Sequence, residues 1–295
     1  MKFNVSEVDN RYDFVIEGTS YIGTPKDGTC LFVTKKIKNM ISTLQGHKNC
    51  LVYVEDGVDV PAEFGRENCI VVTDNPQKEY GAVAYKLKSI EQQERMNWKY
   101  DLCSGGYYIG QNVHLGNDII IEPGCLIDHG VSIGDHSRIG FGSIIRNAVI
   151  GSHFCCYEYS VIGTESYNVG EGIERKYRLP SFGKVIIGEY VDLGAHVVIE
   201  RGFNSDTIIK DNVLVDSDVM IGHDVIIEDG AEITCGVCLA GRVTLGRNTF
   251  VGMNSSIRQR VNVGEGSVIG MGASVITNVK PGVTVFGNPA KAFFQ

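Results

Sequence analysis

The chain has 295 residues, enough for one or two domains with a sizeable core. Apolar residues make up 43% and charged residues 21%, an ordinary globular balance. The formal net charge of −8 argues against a nucleic-acid binder, which would present a basic face, and no apolar run approaches the roughly 18 residues of a membrane span.

The opening "MKFNVSEVDNRYDF" lacks the apolar segment of a signal peptide. Nine cysteines without the spacing of a disulfide scaffold suggest reduced thiols, so a cytoplasmic protein is expected. Residues 1–95 read as a small α/β domain. "LVYVE" and "CIVVTD" are short, β-branched and bounded by polar residues, as buried strands are. "KKIKNMISTLQGH" has helical spacing through Ile37, Met40, Ile41 and Leu44, with Gly46 as its stop, and a second helix is expected after Pro76. The polar stretch "EQQERMNWKYD" reads as a helix end or linker.

Residues 96–295 have another rhythm. Ile109, Leu115, Ile121, Ile127, Ile133, Ile139 and Ile145 fall six apart. The phase slips, resumes through Ile187, Leu193 and Ile199, slips again, and then holds from Ile209 to Val275. Two residues before most anchors in the last run sits a small or β-branched residue, such as Val219, Ala231 or Ser255. Helical turns of 3.6 residues cannot produce this period, and long strands would alternate every two residues. Short strands joined by turns can. Three hexapeptides make one triangular coil, and coils stack at the parallel-strand spacing of about 4.8 Å. The fold class is therefore mainly β, a parallel β-helix of hexapeptide repeats behind a small α/β domain. The period does not set the hand of the coil.

Between Ile162 and Ile187 lies "GTESYNVGEGIERKYRLPSFGKV", with Arg175, Lys176 and Arg178. It cannot fill a prism and is expected to loop out on a binding face. Cys235 and Cys238 form a lone CxxC with no second pair and no strand–helix context, so they read as repeat fillers rather than a metal or redox site.

His223 lies two residues after its anchor Ile221 and should point out of the prism near a corner. One coil later stands Gly241, two after Leu239. A histidine that takes a proton, beside an open N–H that holds an oxyanion, is the minimum for acyl transfer. The competing readings are an ordinary surface histidine and, less well supported, a zinc ligand, since zinc wants several ligands.

The run "IGEYVDLGAHVVIERGFNSDTIIKDNVLVDSDVMIGHDVIIEDGAEITCGVCLAGRVTLGRN" resembles the left-handed β-helix acyltransferases, above all the UDP-3-O-acylglucosamine N-acyltransferases of lipid A synthesis. "ESYNVGEGIERKYRLPSFGKVIIG" resembles their extruded loop, and "GTCLFVTKK" and "IVVTDNPQKEYG" match their first domain more loosely. The resemblance implies a left-handed coil, His223 as general base, Gly241 as oxyanion donor and Asp216 as a residue positioning the acceptor sugar. It also implies a homotrimer with sites between prisms, and a nucleotide-binding role for the first domain.

Three positions depart from the family pattern. Phe32 is kept from a Phe, Asn and Tyr set around the nucleotide base, but Lys35 and Lys38 fill the other places. Arg260 stands where the family has a second histidine, and is expected to bind substrate. The ending "NVKPGVTVFGNPAKAFFQ" resembles sugar acetyltransferases that use acetyl-CoA, with no helical tail for a carrier protein, so Lys280 and Lys291 are expected to meet CoA phosphates. The expected function is transfer of an acetyl or short acyl group from CoA, as cosubstrate, to the amine of a nucleotide-linked amino sugar, without a permanently bound cofactor or metal. The alternative is the acyl-carrier-protein-dependent UDP-3-O-acylglucosamine N-acyltransferase; a further one is a non-catalytic trimeric β-helix scaffold.

Overall fold

The computed structural model describes residues 2–171 and 176–293; Arg175 of the basic loop lies outside them. The chain divides into two compact units.

The first comprises Met1–Trp98, Tyr167–Phe182 and Phe203–Ser205. Its centre is a parallel sheet in the order Gly18–Thr19, Thr29–Val33, Leu51–Glu55, Cys69–Thr73. Alternation along the strands divides the core. Cys30, Leu51, Tyr53 and Cys69 face Tyr80, Val83 and Leu87 of the helix Pro76–Arg95. Leu31, Val33, Val52 and Val54 face Ile41 and Leu44. Both sheet faces are covered, which is why these strands read as continuous apolar runs. Asn75 caps the helix by accepting from the Lys78 N–H, and Pro76 fits its first turn.

Lys35–Leu44 forms 3₁₀ turns kinked at Ile37 instead of the expected α-helix. Asn39, Ser42, Thr43 and the β-branched Ile37 and Ile41 are weak helix formers, and the Thr43 hydroxyl donates to the carbonyls of Met40 and Ile22. Gly46 ends the segment with φ of +83°. The extruded residues belong to this unit: Leu179, Phe182 and Phe203 pack on the helix-side core, and the Tyr85 hydroxyl donates to the Arg178 carbonyl at 2.8 Å.

The second unit, Lys99–Ser166, Gly183–Gly202 and Asp206–Gln295, is a left-handed parallel β-helix. Its strands are mostly two residues long and stack into three sheets of ten, ten and eight strands among the described residues. Register follows the coil: Ile221 pairs with Ile199 below and Leu239 above. The anchors fill the prism, and Ile221, Ile227, Leu245 and Ile269 are fully buried. Burying each such side chain stabilises the column by about 1.5–3 kcal/mol.

The phase slips now have causes. Ile133 pairs with Ile150, Ile139 with Cys156 and Ile145 with Ile162, so one coil takes 17 residues rather than 18. The next two coils carry extra chain, pairing Ile150 with Ile187 and Ile187 with Ile209. The third residue after most anchors is left-handed, as at Asn212, Asp218, Asp224, Asn248 and Asn254, with φ between +52° and +60°. Gly, Asn and Asp tolerate that backbone best, which explains the corner composition.

Candidate active site

Ile221 ends a strand of one sheet, and the chain turns the corner through Gly222, His223 and Asp224 before the next strand, Ile226–Ile227. Asp224 takes the left-handed position, with φ of +56°. This turns its carboxylate back toward the preceding ring: His223 Nδ1 lies 2.8 Å from Asp224 Oδ2. Asp224 is almost fully buried, and its N–H donates to the Thr207 hydroxyl at 3.0 Å. The His223 N–H donates to Glu200 Oε2 at 3.1 Å, and Glu200 is itself buried on the coil below.

An ionised Asp224 accepts a hydrogen bond from Nδ1–H, which leaves the Nε2 lone pair as the basic site. Nε2 faces the coil above. A Cβ built on Gly241 would fall 2.5 Å from His223 Nε2, so only glycine admits the ring in this position. A Cβ on Gly222 would fall 2.8 Å from the Gly241 nitrogen, so a second glycine keeps that N–H clear. No described residue accepts a backbone hydrogen bond from Gly241. The arrangement thus offers an oriented base beside an open donor.

The expected residues fall into three places. Arg260 is exposed on the same corner as His223, two coils further on, and its N–H donates to the Gly241 carbonyl at 3.1 Å. Asp216 follows the anchor Val215 of a different sheet, so it occupies another corner of the same coil and does not meet His223 within one chain. It lines a cleft of about 660 Å³ with Glu158, Asp192, Glu232 and Thr234. Burial raises the Asp192 carboxyl above its ordinary value. Lys280 and Lys291 are brought together at the C-terminal end of the coil, lining a cavity of about 440 Å³ with Val275, Val279, Val283 and Val285. In the first unit, Phe32 is only partly exposed: its ring meets Tyr80 edge-on, with centroids 5.0 Å apart. Lys35 engages Glu55, its N–H at 2.8 Å and its Nζ at 3.8 Å.

Sequence reasoning passed over Asp224, Glu200, Thr207 and Arg242, whose Nε lies 3.4 Å from Asp224 Oδ2. One signal marked Asp224: "His-Asp" in the second and third places after an anchor occurs at this corner alone among the described anchors. A related pair, Asp128 and His129, sits lower on the same edge. There the Tyr100 hydroxyl donates to Asp128 at 2.8 Å and its ring packs against His129 with centroids 4.8 Å apart, so an aromatic side chain covers it. No described group of three or more His, Cys, Asp or Glu side chains is placed to hold a metal ion. No described helix is long and apolar enough to cross a membrane.

Residues 106–147 match the family model described as bacterial transferase hexapeptide (six repeats). UDP-3-O-acylglucosamine N-acyltransferase 2 of Legionella pneumophila (strain Paris) is 36% identical over 146 residues, covering 50% of this chain and 43% of the relative. The UDP-3-O-acylglucosamine N-acyltransferase of Methylorubrum extorquens (strain PA1) is 29% identical over 152 residues, covering 52% and 43%. The match thus spans less than half the length of these relatives. Among solved structures, a UDP-N-acetylglucosamine acyltransferase from Campylobacter jejuni aligns with a TM-score of 0.57 at 25% identity, over 64% of this chain and 72% of that one. A UDP-N-acetylglucosamine O-acyltransferase from Moraxella catarrhalis aligns with a TM-score of 0.59 at 25% identity, over 64% and 72%. The chain is similar to hexapeptide-repeat acyltransferases in sequence and in fold.

Proposed function

We propose that this protein is an N-acyltransferase that acylates the amino group of a nucleotide-linked amino sugar, with UDP-3-O-acylglucosamine as the favoured acceptor. The observation that carries the reading is the 2.8 Å contact of His223 Nδ1 with Asp224, which turns Nε2 toward the coil bearing Gly241. The acceptor amine attacks the carbonyl carbon of an acyl thioester, and the C–N bond forms as His223 Nε2 takes the amine proton. The Gly241 N–H stabilises the tetrahedral oxyanion. The intermediate collapses, the C–S bond breaks, and the proton held by His223 passes to the departing thiolate.

The names of the sequence relatives reverse the order of preference drawn from the chain's ending. They support the UDP-3-O-acylglucosamine acceptor, which stood second to a short-acyl-CoA sugar acetyltransferase. One observation keeps the CoA donor as a second reading: Lys280 and Lys291 line one cavity, as phosphate contacts would. The first unit is proposed to hold the nucleotide, with Phe32 beside the base. Asp216 and His223 lie at different corners, so a site that uses both needs two copies of the chain. A homotrimer supplies this, and exposed Leu214 and Phe250 on the face of Asp216 suit burial against a neighbour.

The test is thiol release from acyl carrier protein and from acyl-CoA, each with UDP-3-O-acylglucosamine and with other nucleotide amino sugars. Release with carrier protein and the UDP acceptor supports the first reading, and release with short acyl-CoA alone supports the second. No release from any pairing, by a protein that binds acceptor normally, would favour a non-catalytic scaffold.

A further inference from the structure

Asp224 Oδ2 is shared. It takes the His223 Nδ1 contact at 2.8 Å, and Arg242 Nε lies 3.4 Å from the same oxygen. Arg242 stands one coil above Asp224 and next to Gly241, and its N–H donates to the His223 carbonyl at 2.8 Å. This backbone bond fixes the guanidinium's origin relative to the ring.

We infer that Arg242 is a positioning residue of the His223–Asp224 pair: it holds the carboxylate from the next coil and divides its charge, so that His223 remains available as a base. A guanidinium is always charged, so its effect on the carboxylate persists across the working pH range. A carboxylate facing an imidazole without that competition favours the imidazolium. A protonated Nε2 cannot accept the proton of an attacking amine.

The charges around the ring give the inference its sign. Asp224 lies on the ring's own corner. Glu200 accepts the His223 N–H from below, and Arg201 beside it donates to the Gly183 carbonyl at 2.7 Å and pairs with Glu165 at 3.5 Å. Arg242 approaches from above, with Arg260 on the coil beyond it. Removing Arg242 withdraws a cation in contact with Asp224 and shifts the balance toward the carboxylates.

The catalytic consequence rests on the proposed general-base role of His223, whereas the division of charge does not. The experiment follows the His223 imidazole by NMR across pH in the wild type, Arg242→Gly and Arg242→Lys, with His223→Gln to assign the signal. Arg242 has a φ of +64°, a backbone that glycine adopts more easily, so the glycine variant should keep its fold. The expected result is an upward move of the His223 titration midpoint by roughly half to one pH unit in Arg242→Gly, with Arg242→Lys staying near wild type. The acidic limb of the rate profile should move up by the same amount. An unchanged or lowered midpoint in Arg242→Gly, or a lysine variant that shifts as far as the glycine one, overturns the inference. A shifted midpoint with an unmoved rate profile upholds the division of charge and sinks the general-base role of His223.

Discussion

His223 Nε2 and the α-carbon of Gly241 are so close that a Cβ on residue 241 would lie 2.5 Å from the ring nitrogen. Gly241→Ala should therefore push the imidazole off its position while leaving the 241 N–H in place. Turnover should fall by about 10²-fold, the scale of a misplaced reacting group. Steady-state kinetics checks this, and near-normal turnover would show that the ring can work from another position.

His223→Ala should cut turnover by about 10²–10⁴, the usual size of a general-base effect, with the KM for donor little changed. A raised KM with intact kcat would assign His223 to binding rather than to chemistry.

Asp224→Ala removes the partner of Nδ1 and frees the ring to take the wrong tautomer. Turnover should fall by about 10²-fold or more. The Arg242 guanidinium also loses its carboxylate neighbour, whereas the backbone N–H of residue 224 keeps its bond to the Thr207 hydroxyl, so only a small drop in melting temperature should accompany the loss. A full loss of melting transition would mark Asp224 as structural first.

Asp192 yields a pH prediction with a definite sign. Burial raises its folded-state pKa above the ordinary 3.8. Above that raised value Asp192 is ionised in both states, and the folded state bears the desolvation cost. As pH falls through the folded value and then through about 3.8, the cost disappears. Asp192→Asn should therefore raise the melting temperature at neutral pH, and the gain should vanish in acid. Melting curves across pH test this; a gain that persists below about pH 3.5 would need another cause.

The thiols should separate by burial. Burial pushes Cys50 and Cys69 up to about 11 and Cys156 to about 12, whereas the Cys238 side chain is exposed. Iodoacetamide on the native protein should modify Cys238 well before these three, as peptide mass spectrometry would show. Equal labelling of Cys156 would mean that its coil opens readily.

The β-helix could be read from the chain because its period is local: each anchor, turn and glycine repeats within six residues, whatever lies elsewhere. His223 and Gly241 were found by the same arithmetic, one coil of 18 residues apart. The two strands "LVYVE" and "CIVVTD" and the helix after Pro76 were legible for equally local reasons. What the arithmetic missed is non-local or ambiguous. Asp224 stands at a left-handed corner, where Asp is favoured for its backbone alone, as at Asp218, so that only the preceding histidine set it apart in the sequence. Thr207 and Arg242 reach it from the coils on either side, and Glu200 reaches the neighbouring His223 N–H across inserted chain that upset the count. The 17-residue coil and the membership of Tyr167–Phe182 and Phe203–Ser205 in the first unit were likewise decided only in three dimensions. A periodic pattern specifies which face a residue occupies, but stacking register and the paths of insertions determine what it meets there.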